Sequence, residues 1–250
     1  MTPFYSIITV CYNSEKTIGD TIKSVLKQDF QNFEYLIIDG NSKDNTLSII
    51  KNFNDNRIKL ISETDLGIAD AMNKGIKISR GYWIHILNSD DCYYSEKSLS
   101  QASKLLENNK TNYFGICFKN NKNKIYRYYN WDYFYPKLLF KACIPHPSMI
   151  VSKKQYNEIG GYDLDLKYSS DHEFTLRLVK KYPGQNKKFL LVTKMDGGVT
   201  DKYQLEVIYE FREILKKIKF PVLIANLIFY LKIINFYVKS FFYKISKDLL

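Results

Sequence analysis

Gly81-Tyr-Trp-Ile-His-Ile-Leu-Asn-Ser-Asp-Asp91 is the stretch around which this chain is organised. Trp83, Ile84, Ile86 and Leu87 read as a short buried strand, and the apolar run stops abruptly at Asn88, Ser89, Asp90 and Asp91. Adjacent carboxylates repel in low-dielectric surroundings, so a divalent cation or a substrate donor group between them makes them easier to keep ionised. In open α/β sheets ligands bind outside the carboxyl ends of the strands, which puts this pair at the mouth of a site. A plain turn after a strand uses the same residue types. The flanking segments decide between the two.

Residues 5–10, Tyr-Ser-Ile-Ile-Thr-Val, are apolar and β-branched and predict a strand buried on both faces of a parallel sheet. Cys11, Tyr12 and Asn13 make the following turn. Ser14 reads as a helix N-cap with Glu15 in the first turn, and Ile18, Ile22, Val25 and Leu26 form the apolar stripe of a helix ending near Gln28. A second unit pairs a strand at 35–38, ended by Asp39, with a helix at 46–53. A third pairs a strand at 58–61 with a helix at 68–78. Such alternation predicts a Rossmann-like α/β layer with 82–87 as its fourth strand. Asp39, the Asp90/Asp91 pair and the Tyr12–Asn13 loop then share one sheet edge. No GxGxxG follows the first strand and no GxxxxGK[ST] occurs anywhere, which argues against a dinucleotide dehydrogenase or a P-loop enzyme. Phosphate binding through a metal stays open.

Downstream, residues 95–106 read as a structural helix, and 108–124, rich in Asn and Lys around a short strand at 113–118, as a surface hairpin region. The aromatic cluster Tyr126, Tyr128, Tyr129, Trp131, Tyr133, Phe134 and Tyr135 suits either core packing or a sugar-stacking platform. His146, between Pro145 and Pro147, is held in a rigid loop, either as a packed side chain or facing a substrate or metal. Ser170 is a plausible N-cap for a helix with Asp171 at its start. A capping role favoured by the helix dipole and a catalytic role both fit Asp171 there. Asp70 could equally serve the first turn of its helix, and Asp39-Gly40 is also a common turn dipeptide.

The chain has 250 residues, enough for one large domain with an appendage, and carries a net charge of +11. Its four cysteines are scattered without a CxxC pair, so neither a zinc site nor a disulfide framework is indicated. The first residues lack a basic segment followed by an apolar stretch, and cytoplasmic function is the expectation. The tail predicts two helices separated by Pro221, in a helical region over 201–250 that follows a catalytic domain over 1–200. In the second helix Leu227, Leu231, Ile234, Val238 and Phe241 recur at helical spacing, with Lys232, Asn235 and Lys239 opposite, an amphipathic pattern. The uncharged run of twelve residues at 220–231 reads as too short for the ~20 that span a bilayer. Seven lysines and one aspartate over 214–250 give a local charge of +6, which suits an anionic membrane surface better than nucleic acid. Packing on a second subunit, as in a homodimer, is the competing role for residues 221–250.

Four segments in register resemble successive motifs of the family 2 glycosyltransferases: Thr9-Val-Cys-Tyr-Asn13, Ile37-Ile-Asp-Gly-Asn-Ser-Lys-Asp-Asn-Thr46, Gly67-Ile-Ala-Asp-Ala-Met-Asn-Lys-Gly-Ile76 and Leu87-Asn-Ser-Asp-Asp91. The bacterial set that builds O-antigen and capsular repeat units is the most similar subgroup. The resemblance implies a GT-A fold that transfers a sugar with inversion from a nucleotide-sugar, usually a UDP-sugar, to a glycan or polyprenyl-diphosphate-linked acceptor at the inner face of the plasma membrane. It implies that Asp39 accepts a hydrogen bond from the base, that Thr9, Cys11, Tyr12 and Asn13 pack on base and ribose, and that Asp70 and Asn73 line the sugar and diphosphate. Asn88, Ser89, Asp90 and Asp91 would form the metal motif, with Mn²⁺ or Mg²⁺ held by Asp90 and Asp91. Asn88 replaces an acidic residue often found there, and Met72 stands where many members carry a basic one. Asp171 matches the general base of the second acidic motif. His146 and the Gly197-Gly198 loop match positions near the acceptor or substrate. The other classes the residues allow are a non-catalytic sugar-nucleotide-binding module and a basic nucleic-acid-binding protein.

Overall fold

Every side chain of strand β1 (Tyr5–Cys11) is buried in the computed structural model of the chain, which describes residues 2–120, 124–129, 132–133, 135–195 and 202–248. After it come α1 (Ile18–Leu26), β2 (Phe33–Asp39), α2 (Thr46–Lys51), β3 (Ile58–Ser62), α3 (Ile68–Ile78) and β4 (Trp83–Ile86). β1 pairs in parallel with β2 and β4, and β2 with β3. The order β3-β2-β1-β4 reverses direction between β1 and β4. That reversal opens the crevice where doubly wound sheets bind their ligands.

Alternation along β1 decides what each face meets. Tyr5, Ile7 and Cys11 join Ile18, Ile22 and Val25 of α1 in the main core, together with Tyr35, Ile37, Trp83 and Leu87. Ile8 points the other way, onto α3, where a Cβ on Gly75 would lie 2.6 Å from its Cγ2. Fully burying each Ile contributes roughly 1.5–3 kcal/mol.

The remaining elements of this unit are β5 (Asp91–Tyr93), α4 (Ser98–Ser103), β6 (Asn112–Lys119), β7 (Ile125–Tyr129), α5 (Tyr135–Leu138), a 3₁₀ turn (His146–Ser148), β8 (Met149–Ser152), α6 (Lys153–Ile159), α7 (Ser170–Lys181) and β9 (Asn186–Met195). They continue the sheet as β4-β8-β6-β9-β5, with β7 on β6. β8 runs antiparallel to β4 and β6, and β5 runs antiparallel to β9. The result is one mixed α/β sheet, parallel through β3-β2-β1-β4 and largely antiparallel beyond β4.

Several local expectations change. Ser14 is not an N-cap: α1 starts at Ile18, after a turn in which Ser14 carbonyl oxygen accepts from the Thr17 and Ile18 amides. α7 is flanked by Ser169 at the N-cap, so Ser170 is its first residue. The 113–118 strand is no surface feature, because β6 is an inner strand with all but its last residue buried. Asn- and Lys-rich flanks concealed an apolar run, Tyr-Phe-Gly-Ile-Cys-Phe. Of the aromatic cluster, Tyr129 packs on Phe118 and Tyr133 on Tyr113, while Tyr128 is exposed. Trp131 and Phe134 lie outside the described residues.

Contacts divide the chain into two units, Met1–Asp196 and Gly197–Leu250. The second is a pair of helices, α8 (Gln204–Lys217) and α9 (Val222–Asp248). Arg212 Nε donates to Asn226 Oδ1 at 2.9 Å, the Tyr209 and Phe229 rings lie 5.1 Å apart, and the Lys232 ammonium sits 3.5 Å above the Phe211 ring. The side of α9 toward α8 is thus Ala225, Phe229 and Lys232. Leu227, Leu231, Ile234, Val238 and Phe241, the stripe read from spacing as the apolar face of an amphipathic helix, are all 48–63% exposed. Over Val222–Phe241 this helix is long and apolar enough, by length and composition, to cross a membrane. The twelve-residue limit failed because Lys232 interrupts the run without making the surrounding window polar.

Gly81 gives the clearest mutational check on the β1–β4 packing. A Cβ there would meet the Ser6 backbone nitrogen and the Tyr5 carbonyl carbon, neither of which can swing aside. Gly81→Ala should therefore destabilise by at least about 2 kcal/mol, read as a lower urea midpoint with an unchanged slope. An unchanged midpoint would mean that β1 does not pass so close.

Candidate active site

Two loops meet at the carboxyl end of the β1/β4 reversal. The first, after β1, is fastened to the segment after β2. Asn13 amide donates to Ser42 Oγ (2.9 Å), Lys43 amide to Asn13 Oδ1 (2.8 Å), and Ser14 amide to Thr46 Oγ1 (2.7 Å). Glu15 accepts from both nitrogens of Asn45 at 3.0 Å. Asn13 and Asn41 have φ of 49° and 65°, a left-handed conformation that Asn tolerates better than most residues. These turns throw Tyr12 outward, 60% exposed, beside Gly40. A Cβ on Gly40 would lie 2.5 Å from Asp65 Oδ2, so glycine leaves that carboxylate its place, and would meet the Tyr12 ring at an ordinary contact of 3.5 Å.

Asp39 lies below this loop and is wholly buried. Its Oδ1 accepts from Ser42 Oγ (2.5 Å) and from the Cys11 thiol (3.7 Å), and its Oδ2 from Ser42 amide (3.1 Å) and Ser62 Oγ (2.7 Å). Four donors meet the four lone-pair sites of a carboxylate. Asp39 thus ties together the ends of β1, β2 and β3, and the Cys11 thiol is its most weakly held donor. Burial, reinforced by the Asp39 charge, pushes the Cys11 thiol well above its usual range. Thr9 is not part of the turn. It is buried inside β1, with its hydroxyl 3.0 Å from the Tyr35 hydroxyl, because the strand runs on to Cys11.

The second loop begins where Leu87 amide donates to Ile8 carbonyl oxygen (2.9 Å). Asp91 amide closes the turn onto Asn88 carbonyl oxygen (3.1 Å), and Asn88 Nδ2 donates to Asp91 Oδ2 (3.0 Å). Ser89 joins the two loops: its Oγ is 2.9 Å from Ser14 Oγ, and its carbonyl oxygen accepts from Thr21 Oγ1 at 2.9 Å. Asp91 is wholly buried, and its Oδ1 has no hydrogen-bond partner. Burial raises its carboxyl to about 7, opposed by Lys194 and assisted by the neighbouring Asp90 charge. Asp90 keeps part of its surface exposed. An orphaned buried oxygen beside a second carboxylate fits a hard divalent cation. Among the described residues no group of three His, Cys, Asp or Glu side chains gathers.

The motif on α3 is occupied differently. Asp70 Oδ2 accepts from Leu66 amide (3.0 Å) and lies 3.3 Å from Lys74 Nζ. Asn73 clamps the backbone of Tyr162, donating to its carbonyl oxygen and accepting from its amide, both at 2.8 Å. Both polar atoms of Asn73 are engaged in that clamp, which packing, not spacing, explains: Gly161 leaves room for Asn73 Oδ1 where any Cβ would collide.

Asp171 sits in the first turn of α7, part-exposed, its Oδ1 accepting from His172 amide (2.7 Å). Burial pushes its carboxyl up, against the pull of His172 and Lys194. His146 is buried, with Nε2 2.7 Å from the Tyr162 hydroxyl, which is 3.0 Å from the Tyr156 hydroxyl. It belongs to a packed polar cluster. Gly197 and Gly198 lie outside the described residues. Lys194 escaped the sequence reading altogether: it faces Asp91 across the β5/β9 pair, a pairing of segments about a hundred residues apart that no local pattern announces.

The sequence model of glycosyl transferase family 2 matches residues 6–158. The chain is 41% identical over 121 residues, 48% of each chain, to the Escherichia coli UDP-Glc:alpha-D-GlcNAc-diphosphoundecaprenol beta-1,3-glucosyltransferase WfgD, so it spans about half the length of that relative. Among solved structures it resembles S. aureus TarS 1-349 in complex with UDP-GlcNAc, with a TM-score of 0.65 at 18% identity over 90% of this chain and 70% of that one. It also resembles the Pyrobaculum calidifontis mannosyltransferase PcManGT in complex with GDP-Man and Mn²⁺, with a TM-score of 0.64 at 17% identity over 92% and 71%.

Two buried imidazoles set the acid limit of this unit. His85 Nε2 must donate to Pro147 carbonyl oxygen (2.9 Å), so its Nδ1 accepts from the Tyr93 hydroxyl (2.7 Å) in the neutral form. Burial lowers both His85 and His146 from 6.5 to about 4. The unfolded chain therefore takes up protons that the folded one refuses, and stability present above pH 6.5 is lost as pH falls toward 4. Between pH 7.5 and 5 each imidazole should cost roughly 2 kcal/mol. His85→Gln should flatten the fall in urea midpoint over that window, and an unaltered fall would remove His85 as a cause.

Proposed function

The chain belongs to glycosyl transferase family 2, and on that footing we propose that it moves a sugar, with inversion, from a UDP-sugar to a hydroxyl of a glycan or polyprenyl-diphosphate-linked acceptor in bacterial surface polysaccharide synthesis. The observation that carries this reading is the meeting of the Tyr12–Ser14 loop and the Asn88–Asp91 turn at the β1/β4 reversal, fastened by Ser14 and Ser89. The bound UDP-GlcNAc of TarS and the lipid-linked acceptor in the name of WfgD support the substrate classes.

Tyr12 offers an exposed ring for the base, and Asn13 shapes the turn beneath the ribose. At Asp39 a base N–H would take the place of the Cys11 thiol, the weakest of its four donors. Asp70 and Asn73 line the sugar side through the turn and the clamp they hold. Asp90 and Asp91 would hold Mn²⁺ or Mg²⁺, which when bound supplies positive charge against the diphosphate; the Mn²⁺ of PcManGT supports this choice. Asp171 takes the proton of the acceptor hydroxyl as the acceptor oxygen bonds the anomeric carbon. The bond from that carbon to the β-phosphate oxygen breaks, and its electron pair leaves with the diphosphate. A carboxylate whose proton affinity is raised by burial is a stronger base than a free one. His146 supports the acceptor side through Tyr162, and the Gly197-Gly198 segment would border it.

Helix α9 supports attachment to the inner face of the plasma membrane, by its exposed apolar stripe and its lysines. Such attachment would bring the site to a lipid-linked acceptor.

Asp171→Asn should lower transfer by at least about a hundredfold while UDP affinity, measured by calorimetry, stays within a few fold. Transfer retained near the wild-type rate would assign the base elsewhere. Ending the chain before Pro221 should move the protein from the membrane fraction to the supernatant in a sedimentation assay; an unchanged distribution would leave α9 no part in attachment.

A further inference from the structure

Lys194 lies near the end of β9, directly across from Asp91 in the antiparallel β5/β9 pair and from Phe118 in the parallel β6/β9 pair. Directly opposed residues of antiparallel strands project to the same face, with Cβ atoms about 5 Å apart. The ammonium therefore leaves the sheet on the Asp91 side. Its charge is felt on three elements at once: it pulls down the carboxyls of Asp91 and of Asp171 on α7, and the imidazole of His146 in the 3₁₀ turn. The strand register is what sets Lys194 beside Asp91 at this rim.

The rest of the rim needs such a charge. Asn88 gives the acidic turn one carboxylate fewer, and Met72 of α3 is buried and neutral. The basic residue that α3 does carry near the rim, Lys74, is held by Glu63 (3.0 Å), Asp70 (3.3 Å) and Thr64 carbonyl oxygen (2.9 Å). A leaving nucleoside diphosphate gains negative charge on its β-phosphate, and stabilising that charge where it develops is the effect a fixed ammonium supplies.

We propose that Lys194 binds the donor diphosphate, its ammonium contacting the β-phosphate oxygen from which the sugar departs. This rests on the glycosyl-transfer reading of the site. As the anomeric C–O bond breaks, the electron pair goes to that oxygen and the acceptor proton to Asp171. Lys194 keeps its own protons and acts by charge.

Calorimetry on the full chain separates the outcomes, with UDP and UMP as ligands, in EDTA and again in Mn²⁺. Lys194→Met should weaken UDP about tenfold or more in both conditions while changing UMP less than about threefold, and Lys194→Arg should restore most of the difference. Unchanged UDP affinity in Lys194→Met, or equal losses for UDP and UMP, would overturn the proposal and leave the donor reading standing. Wild-type protein that binds neither UDP nor GDP under either condition would overturn the donor reading, and this one with it. If Lys194→Met does not fold, Lys194→Gln is measured against the same pair of ligands.

Discussion

The reversal of strand order between β1 and β4 is the constraint from which the site follows. Crossovers from β1 toward β2 and β3 lie to one side and β4 lies to the other, so the loops leaving β1 and β4 diverge and leave a crevice between them. What keeps that crevice from collapsing is polar. Ser14 and Ser89 meet across it, Thr21 holds the Ser89 carbonyl, and Asp39 gathers the ends of three strands under it. An apolar lining would close; a lining of short hydroxyls and carboxylates stays open to a charged ligand.

The first ninety residues were legible because the strands there are mostly apolar runs and the longer helices each have one apolar stripe. Helix α3 fell where its periodicity put it, Asp39 closes β2, and Asp91 lies past the end of β4, where it opens the short strand β5. Beyond β4 the reading weakened for a physical reason. β6, β8 and β9 pair over long sequence separations, and their burial is decided by partners that no window of sequence contains. β6 was read as a strand but assigned to the surface by its polar flanks, and Lys194 was hidden by distance along the chain. Asn73 was readable as a motif residue, yet its clamp on Tyr162 depends on a glycine almost ninety positions away.

The tail teaches a different lesson. Spacing marked one apolar stripe on α9, and the helix turns other residues, Ala225 and Phe229, toward α8 and leaves that stripe outward. Lys232 follows the α8 side because its ammonium lies over the face of the Phe211 ring, a cation–π contact that lets a charge border an apolar seam. A helix apolar on more than one side has no unique inner face in the periodicity.

Asp91 carries an implication for how folding and ligation are linked. A shielded carboxyl with one oxygen lacking any donor is a local source of instability in the ligand-free chain. Whatever brings positive charge to that oxygen stabilises the folded chain as it binds. The acidic turn is then at its most ordered when occupied, and occupancy itself protects the sheet edge that β5 shares with β9.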